Sequence, residues 1–291
     1  MSSSSGPLIR LACALLLLAV SRTVSAGDPA LVLGDRLVES GDCDAAITEY
    51  KRFLCFHSED DSASEVYLRI GRAYFALDDS RNAIDSLQRS VEAAVEDATR
   101  DERRISAGVL LLAMGDYSAA ESGLLRVRTF SSDQQLQRKA VFFLAVCYVY
   151  RFEWDDARKE LDCYFGGKSS PTIDRLRSLL STAGRPRCKS ERVARTLSTV
   201  IPGAGQAYAG DYRGALNALC VNAVFGIPFA RSLLDRRLFE ASTVFPFFDR
   251  YYEGNRANGA KAAREHNDRL SRRHAKLVLD ALLKAAAEAP Q

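Results

Sequence analysis

Gly71-Arg72-Ala73-Tyr74-Phe75-Ala76-Leu77-Asp78-Asp79-Ser80-Arg81-Asn82-Ala83-Ile84-Asp85-Ser86-Leu87 is the stretch whose reading decides the fold. Its small first residue recurs as Gly34, Gly71, Gly108 and Ala145, each 37 positions after the last. Three further rows keep the same step: Leu37, Tyr74, Leu111 and Tyr148; Ala46, Ala83, Ala120 and Ala157; Tyr50, Leu87, Leu124 and Leu161. Four rows in one register mark an internal repeat running from about Asp28 to Phe165. Within each unit the spacing predicts one helix, a tight turn, and a second helix whose small residues let the two backbones approach.

The turns read Glu39-Ser40-Gly41-Asp42, Leu77-Asp78-Asp79-Ser80, Met114-Gly115-Asp116 and Arg151-Phe152-Glu153, and Gly, Ser and Asp are what a short connection between helices needs. The pattern resembles the tetratricopeptide repeat, whose unit is usually about 34 residues. The resemblance covers roughly half the chain and implies an all-α fold, a solenoid of four helical hairpins. It also implies a concave wall lined by the first helix of each pair. Its groove positions fall on Asp35, Arg72, Val109 and Val146; on Val38, Phe75, Leu112 and Val149; and on Glu39, Ala76, Ala113 and Tyr150. Members of that family that grip a C-terminal carboxylate use Lys and Asn there. A wall this apolar implies instead a protein partner offering an amphipathic helix or an extended apolar peptide, with Arg72, Phe75, Leu112, Val149 and Tyr150 as the contact residues. The other reading has the chain's own C-terminal helices cover these side chains.

Ahead of the repeats, Arg10 precedes the apolar run Leu11 to Val20, followed by Ser21-Arg22-Thr23-Val24-Ser25-Ala26. A short apolar core ending in small residues predicts an export signal at 1–26, cleaved after Ala26, and a periplasmic or cell-envelope location. The run is too short to span a bilayer. Removing it takes away two of the 40 basic residues and none of the 37 acids, leaving 38 − 37 = +1. That total hides an asymmetry: residues 27–184 carry 20 basic and 27 acidic side chains (−7), residues 185–291 carry 18 and 10 (+8). Two modules are expected, with the boundary in Ala183-Gly184-Arg185-Pro186-Arg187 and the helix Thr172 to Ser181 closing the array.

The second module, 185–291, is expected to be helical and partly hydrophobic. A helix from Ser190 to Val200 is broken by Ile201-Pro202-Gly203-Ala204-Gly205-Gln206-Ala207-Tyr208-Ala209-Gly210, where Pro ends the helix and the glycines permit a close-packed reversal. The form set by Pro202, Gly203, Gly205, Gln206, Tyr208 and Gly210 resembles the signature that opens a small hydrophobic hairpin domain in several bacterial membrane proteins. The match is strong over about ten residues. Apolar runs Gly214 to Ala230 and Leu238 to Phe248 follow, the first interrupted by Asn217, Asn222 and Pro228 and the second by Glu240 and Pro246. Residues 214–248 therefore have three readings: a hairpin lying on an anionic membrane surface, a two-helix span, or a soluble helical domain. Beyond them, Tyr251, Asn255 and Asn258 share a helical face that serves either as a polar contact surface or to pair with the glycine-rich turn. Ala262 to Ala289 reads as a long helix with an apolar stripe of Leu270, Leu277, Val278, Ala281 and Leu282.

Chemistry is hard to find. The histidines are His57, His266 and His274, and no nucleophile, metal-ligand or paired-carboxylate pattern is legible, so no catalytic or metal residue, cofactor or small-molecule substrate is assigned. A near-neutral total argues against nucleic acid. Six cysteines follow the leader and allow 15 pairings, but Cys43 and Cys55, twelve apart on one predicted helix, sit roughly 18 Å from each other, beyond disulfide reach. The expectation is a non-enzymatic scaffold that holds a partner near the membrane, or alternatively an integral component whose hairpin is the working part.

Overall fold

The computed structural model describes residues 28–57, 62–183 and 188–288, and among them it contains thirteen helices and no strand. The chain is all-α. The expected export signal at 1–26 and all of the expected linker 183–187 except Ala183 lie outside the described residues. Contacts divide the protein into two compact units that meet in sequence at Pro171 and Thr172.

The first unit holds α1 (Pro29–Glu39), α2 (Cys43–Phe56), α3 (Ala63–Ala76), α4 (Ser80–Glu92), α5 (Asp97–Met114), α6 (Tyr117–Phe130), α7 (Gln134–Arg151) and α8 (Trp154–Phe165). Each helix packs on the next, and the first helices of successive pairs also touch, α3 on α5 and α5 on α7. The repeat is visible in the turns. Gly41, Asp78, Gly115 and Phe152, again 37 apart, all take left-handed backbone with φ of 86°, 61°, 84° and 63°. The residue after each opens the second helix, and Asp42, Asp79 and Asp116 accept a hydrogen bond from the backbone N–H of Ala45, Asn82 and Ala119.

The small residue and the large residue sixteen places later meet within each pair. A Cβ on Gly34 would lie 2.5 Å from the Tyr50 ring, one on Gly108 2.9 Å from Leu124, and one on Gly71 3.2 Å from Leu87. Tyr50, Leu87 and Leu124 are fully buried there. The small residue is thus the seat for its partner's side chain, which explains why two rows of the sequence repeat stay in step.

The second unit holds α9 (Pro171–Ala183), α10 (Glu191–Val200), α11 (Ala204–Tyr208), α12 (Tyr212–Leu234) and α13 (Leu238–Glu288). The expected boundary at 184/185 is displaced to 171/172, and α9, expected to close the array, groups with this unit. Its Thr172 hydroxyl bonds the Glu288 carboxylate, and the Leu179 carbonyl lies 2.9 Å from His274 Nε2. The separate elements expected after Leu238 are one 51-residue helix, roughly 75 Å long at 1.5 Å per residue. Pro246 lies inside it without ending it. Of its expected apolar stripe, Val278, Ala281 and Leu282 are buried, whereas Leu277 faces outward. Arg236, at φ 58°, makes the reversal between α12 and α13. Among the described residues the six cysteines are free, Cys43 and Cys147 buried and the others exposed. Burial pushes the Cys147 thiol up to about 12, so it is an inert core group.

Two glycine-to-alanine changes should act in opposite directions. Gly34→Ala drives a methyl into the Tyr50 ring and should lower stability by about 1–3 kcal/mol. Gly123→Ala, in α6 with its nearest neighbour 3.9 Å away, should raise it by about 0.5–1 kcal/mol. Thermal melts of the two variants check both.

Candidate functional site

The wall expected to bind a partner is largely spent on packing. Leu112 and Val149 are 4% and 0% exposed, the former in the core built by α5, α6 and α7. Phe75 packs against Leu68, Leu87, Ala107 and Leu110. The Tyr150 ring stacks on Tyr117 at 5.5 Å with 1° between the planes. Arg72 is half-buried, its guanidinium pKa held below its usual value by burial and supported by the Glu65 carboxylate. The assignment of Leu112 and Val149 as contact residues is therefore corrected. Because first helices touch directly, a side chain four places after the small residue meets the neighbouring repeat before it meets a channel.

What that face carries instead is a charge ladder across repeats. Arg69 Nη1 donates to both oxygens of Asp35 at 2.9 and 2.8 Å, and the Tyr50 hydroxyl donates to the same carboxylate at 2.7 Å. Buried Glu65 lies 3.4 Å from Arg69 Nε and 2.7 Å from Arg103 Nη1, whose own Nε donates to Ser64. Desolvation offsets much of the attraction in buried pairs of this kind, so they add little net stability, while removing one partner would leave a buried charge unpaired. Asp35 is the member that the groove positions had included; Arg69, Glu65 and Arg103 had no visible signal in a sequence rich in surface ion pairs.

The glycine-rich motif in the second unit is assembled by contact with α10 and α13. A Cβ on Gly205 would fall 2.0 Å from the Ala194 carbonyl of α10, and one on Gly203, at φ 91°, 2.3 Å from the Ala215 carbonyl. Gly259 of α13 approaches the same turn of α10, with Ser198 Oγ 2.5 Å from its virtual Cβ. Inside this junction lies a closed amide ring. Ser198 Oγ donates to Gln206 Oε1 (3.0 Å), Gln206 Nε2 to Asn255 Oδ1 (3.0 Å), and Asn255 Nδ2 back to the Ser198 carbonyl (3.0 Å). The N–H groups of Gly203 and Gly205 complete it on Asn255 and Ser198. Tyr208 accepts from Ser190 N–H and has Lys189 Nζ 4.6 Å above its ring, while Gly210, at φ 84°, turns the chain into α12. Pro202 stands beside Gly203 at the break. Of the two readings for Asn255, pairing with the glycine-rich turn is the one realised; Asn258 remains exposed.

Beside the ring is a pocket of about 470 Å³ between α12 and α13. Gln206 and Asn255 form part of its wall, Asn222 its buried end, and Arg250 and Lys261 its basic lining. Asn222 is 4% exposed, and its Nδ2 donates to the Ala218 carbonyl at 2.8 Å while Oδ1 has no hydrogen-bond partner. Among the described residues no group of three or more His, Cys, Asp or Glu is placed to hold a metal. No protein-family model matches this sequence, and no curated protein matches it.

Breaking the amide ring should be costly. Gln206→Leu strips Ser198 Oγ of its acceptor and Asn255 Oδ1 of one donor, and an unsatisfied buried group costs about 1–3 kcal/mol. The expected outcome is a lower melting temperature for the second unit, read by circular dichroism in mild detergent.

Proposed function

We propose that the protein is a non-enzymatic scaffold of the cell envelope that meets a membrane through α12 and the start of α13 and presents its helical repeats to a protein partner. One observation carries this reading. Helix α12 has 23 residues, long and apolar enough to cross a bilayer, and only 11% of its apolar window is buried inside the protein. Leu216, Leu219, Val224 and Ile227 stand exposed on it, and Leu238, Phe239, Phe245 and Phe247 stand exposed at the start of α13. A soluble core helix would bury such side chains, and exposed apolar surface of this extent marks contact with lipid or another protein. Arg231, Arg236 and Arg237 near the reversal suit an anionic membrane surface.

The repeat resemblance supports a tetratricopeptide-like solenoid for 28–165, and the apolar run Leu11 to Val20 with its small-residue end supports export. With Leu112 and Val149 in the core, the array's most exposed apolar side chains are Phe56 and Phe130 at the ends of second helices and Val95 in the connection after α4, and these are the better contact surface for a partner. A second reading is favoured by Asn222. A buried polar residue halfway along an apolar helix is expensive in lipid and marks function there, so the hairpin would be an integral component that the repeats recruit.

Lys at Leu219, Val224 and Ile227 in the full chain should leave helical content unchanged, since all three are exposed, and abolish flotation with phospholipid vesicles. Flotation of the triple variant at the wild-type level, or a wild type that stays monomeric in the aqueous fraction, overturns the reading. Resistance of the wild type to a high-pH carbonate wash selects the integral form; release selects the peripheral one.

A further inference from the structure

We infer that α10 is a second membrane element: an oblique amphipathic helix that carries Leu197 and Val200 into the lipid boundary and sets Lys189, Arg192 and Arg195 among anionic phospholipid headgroups. The inference rests on the membrane reading of the hairpin and adds which lipids the second unit prefers and how deep it sits.

Helix α10 is held by little of its surface. Ala194 and Ser198 are buried, and the Ala194 carbonyl and Ser198 Oγ are what Gly205 of α11 and Gly259 of α13 approach. One flank is tied down by Glu191, whose carboxylate accepts two hydrogen bonds from Arg264. The larger apolar side chains face outward: Val193, Leu197 and Val200 are 45%, 37% and 75% exposed, and Ile201, which follows the helix, is 58% exposed. Val193, Leu197 and Val200 recur at steps of four and three, so they form one stripe. A helix of a water-soluble unit turns such a stripe toward its core; here the small residues are inside and the large apolar ones outside.

Charge is segregated along the axis. Lys189, Arg192 and Arg195 stand at or before the first turns, whereas Leu197 to Ile201 carries no charge. Glu191 is the one acid between Lys189 and Ile201, and it is already paired with Arg264 at 2.7 Å, so this end of the helix is cationic. Helices α10 and α13 run antiparallel: the Lys189 backbone N–H and carbonyl bond the Asn267 amide, and the Tyr252 hydroxyl donates to the Thr199 carbonyl. The apolar end of α10 therefore stands level with Tyr252, whose ring stacks on Phe248 of the hairpin, and the cationic end level with Arg264. From the hairpin outward the unit passes from aromatic to aliphatic to cationic, the order met in crossing from acyl chains to phosphates. Val200 lies about 12 Å from Arg192 along the axis at 1.5 Å per residue, enough to cross an interfacial layer of about 5–10 Å. The complement of such a cationic end is an anionic lipid, phosphatidylglycerol for example, rather than a zwitterionic one.

Flotation of the full-length protein with vesicles of phosphatidylcholine alone and of phosphatidylcholine mixed with phosphatidylglycerol tests this. The wild type should partition onto the mixed vesicles about tenfold more strongly, and high salt should erase the difference. Arg192→Gln with Arg195→Gln should lower partition on the mixed vesicles by about tenfold and leave that on phosphatidylcholine unchanged. Leu197→Gln with Val200→Gln should lower both by about threefold or more. All four side chains are exposed, so circular dichroism should show helical content unchanged in both double variants. Equal partition of the wild type on the two vesicles, or no effect of either double variant, overturns the role of α10 and leaves the hairpin reading intact. A preference that survives the Arg192/Arg195 pair and disappears with Arg231→Gln, Arg236→Gln and Arg237→Gln puts the anionic contact at the reversal and overturns it too. A wild type that is dimeric without lipid, and monomeric once Leu197 and Val200 are Gln, gives the face to a second copy and overturns it. Failure of the wild type to float on either vesicle overturns the hairpin reading and this inference with it.

Discussion

In the first unit everything follows from how near two helices of a pair can come. The side chain sixteen residues after a small residue sits on that residue's backbone, at distances that leave no space for a methyl at Gly34 and little at Gly108. This close approach sets the pair spacing, and the left-handed residue and aspartate cap between the helices set the angle of return. Once pairs of equal geometry exist, stacking buries the remaining apolar faces, α3 on α5 and α5 on α7. The ladder from Asp35 through Arg69 and Glu65 to Arg103 then has one register in which its charges meet.

The second unit uses the same device for a different end. Gly205 and Gly259 bring two chain segments against one turn of α10, around Ala194 and Ser198, where any Cβ would collide. The amide ring of Ser198, Gln206 and Asn255 satisfies the polar groups this approach buries. The junction anchors the foot of α12 on α13, and beyond it the two helices stay packed along one side through stacked rings such as Phe225 on Tyr251 at 4.9 Å and Phe229 on Phe248 at 5.4 Å, leaving the other side of α12 exposed. The exposed apolar side chains of the hairpin, Leu216 to Phe247, extend from this junction, and the pocket lies beside it.

The repeat was legible because each of its rows answers a steric demand made four times, so chance substitutions stand out. The groove was not. Positions such as Leu112 and Val149 were assigned by analogy of spacing, and spacing does not say whether neighbouring first helices touch; here they do. The motif was found but its purpose was hidden, since Gly203 and Gly205 matter through Ala215 and Ala194, residues with no signal of their own. The long α13 was read as pieces because Pro246, Gly254 and Gly259 look like breaks. Gly259 is in fact a packing site against Ser198, and Pro246 is accommodated in a helix whose neighbourhood is apolar and exposed. Asn222 appeared in the sequence as a polar interruption, and only the packing of α12 on α13 turns it into the end of a pocket.

Cys220 gives the most direct test of the central claim that α12 lies in lipid. It is exposed on α12, and Cys55, Cys163 and Cys188 are exposed elsewhere, so the protein carries its own probe and its own controls. Labelling of the purified protein bound to the outside of vesicles with a charged, water-soluble maleimide should modify Cys55, Cys163 and Cys188 and spare Cys220 until detergent is added. Modification of Cys220 in intact vesicles at the rate of Cys188 would contradict the account, because a thiol on a lipid-embedded helix cannot be reached from water at that rate.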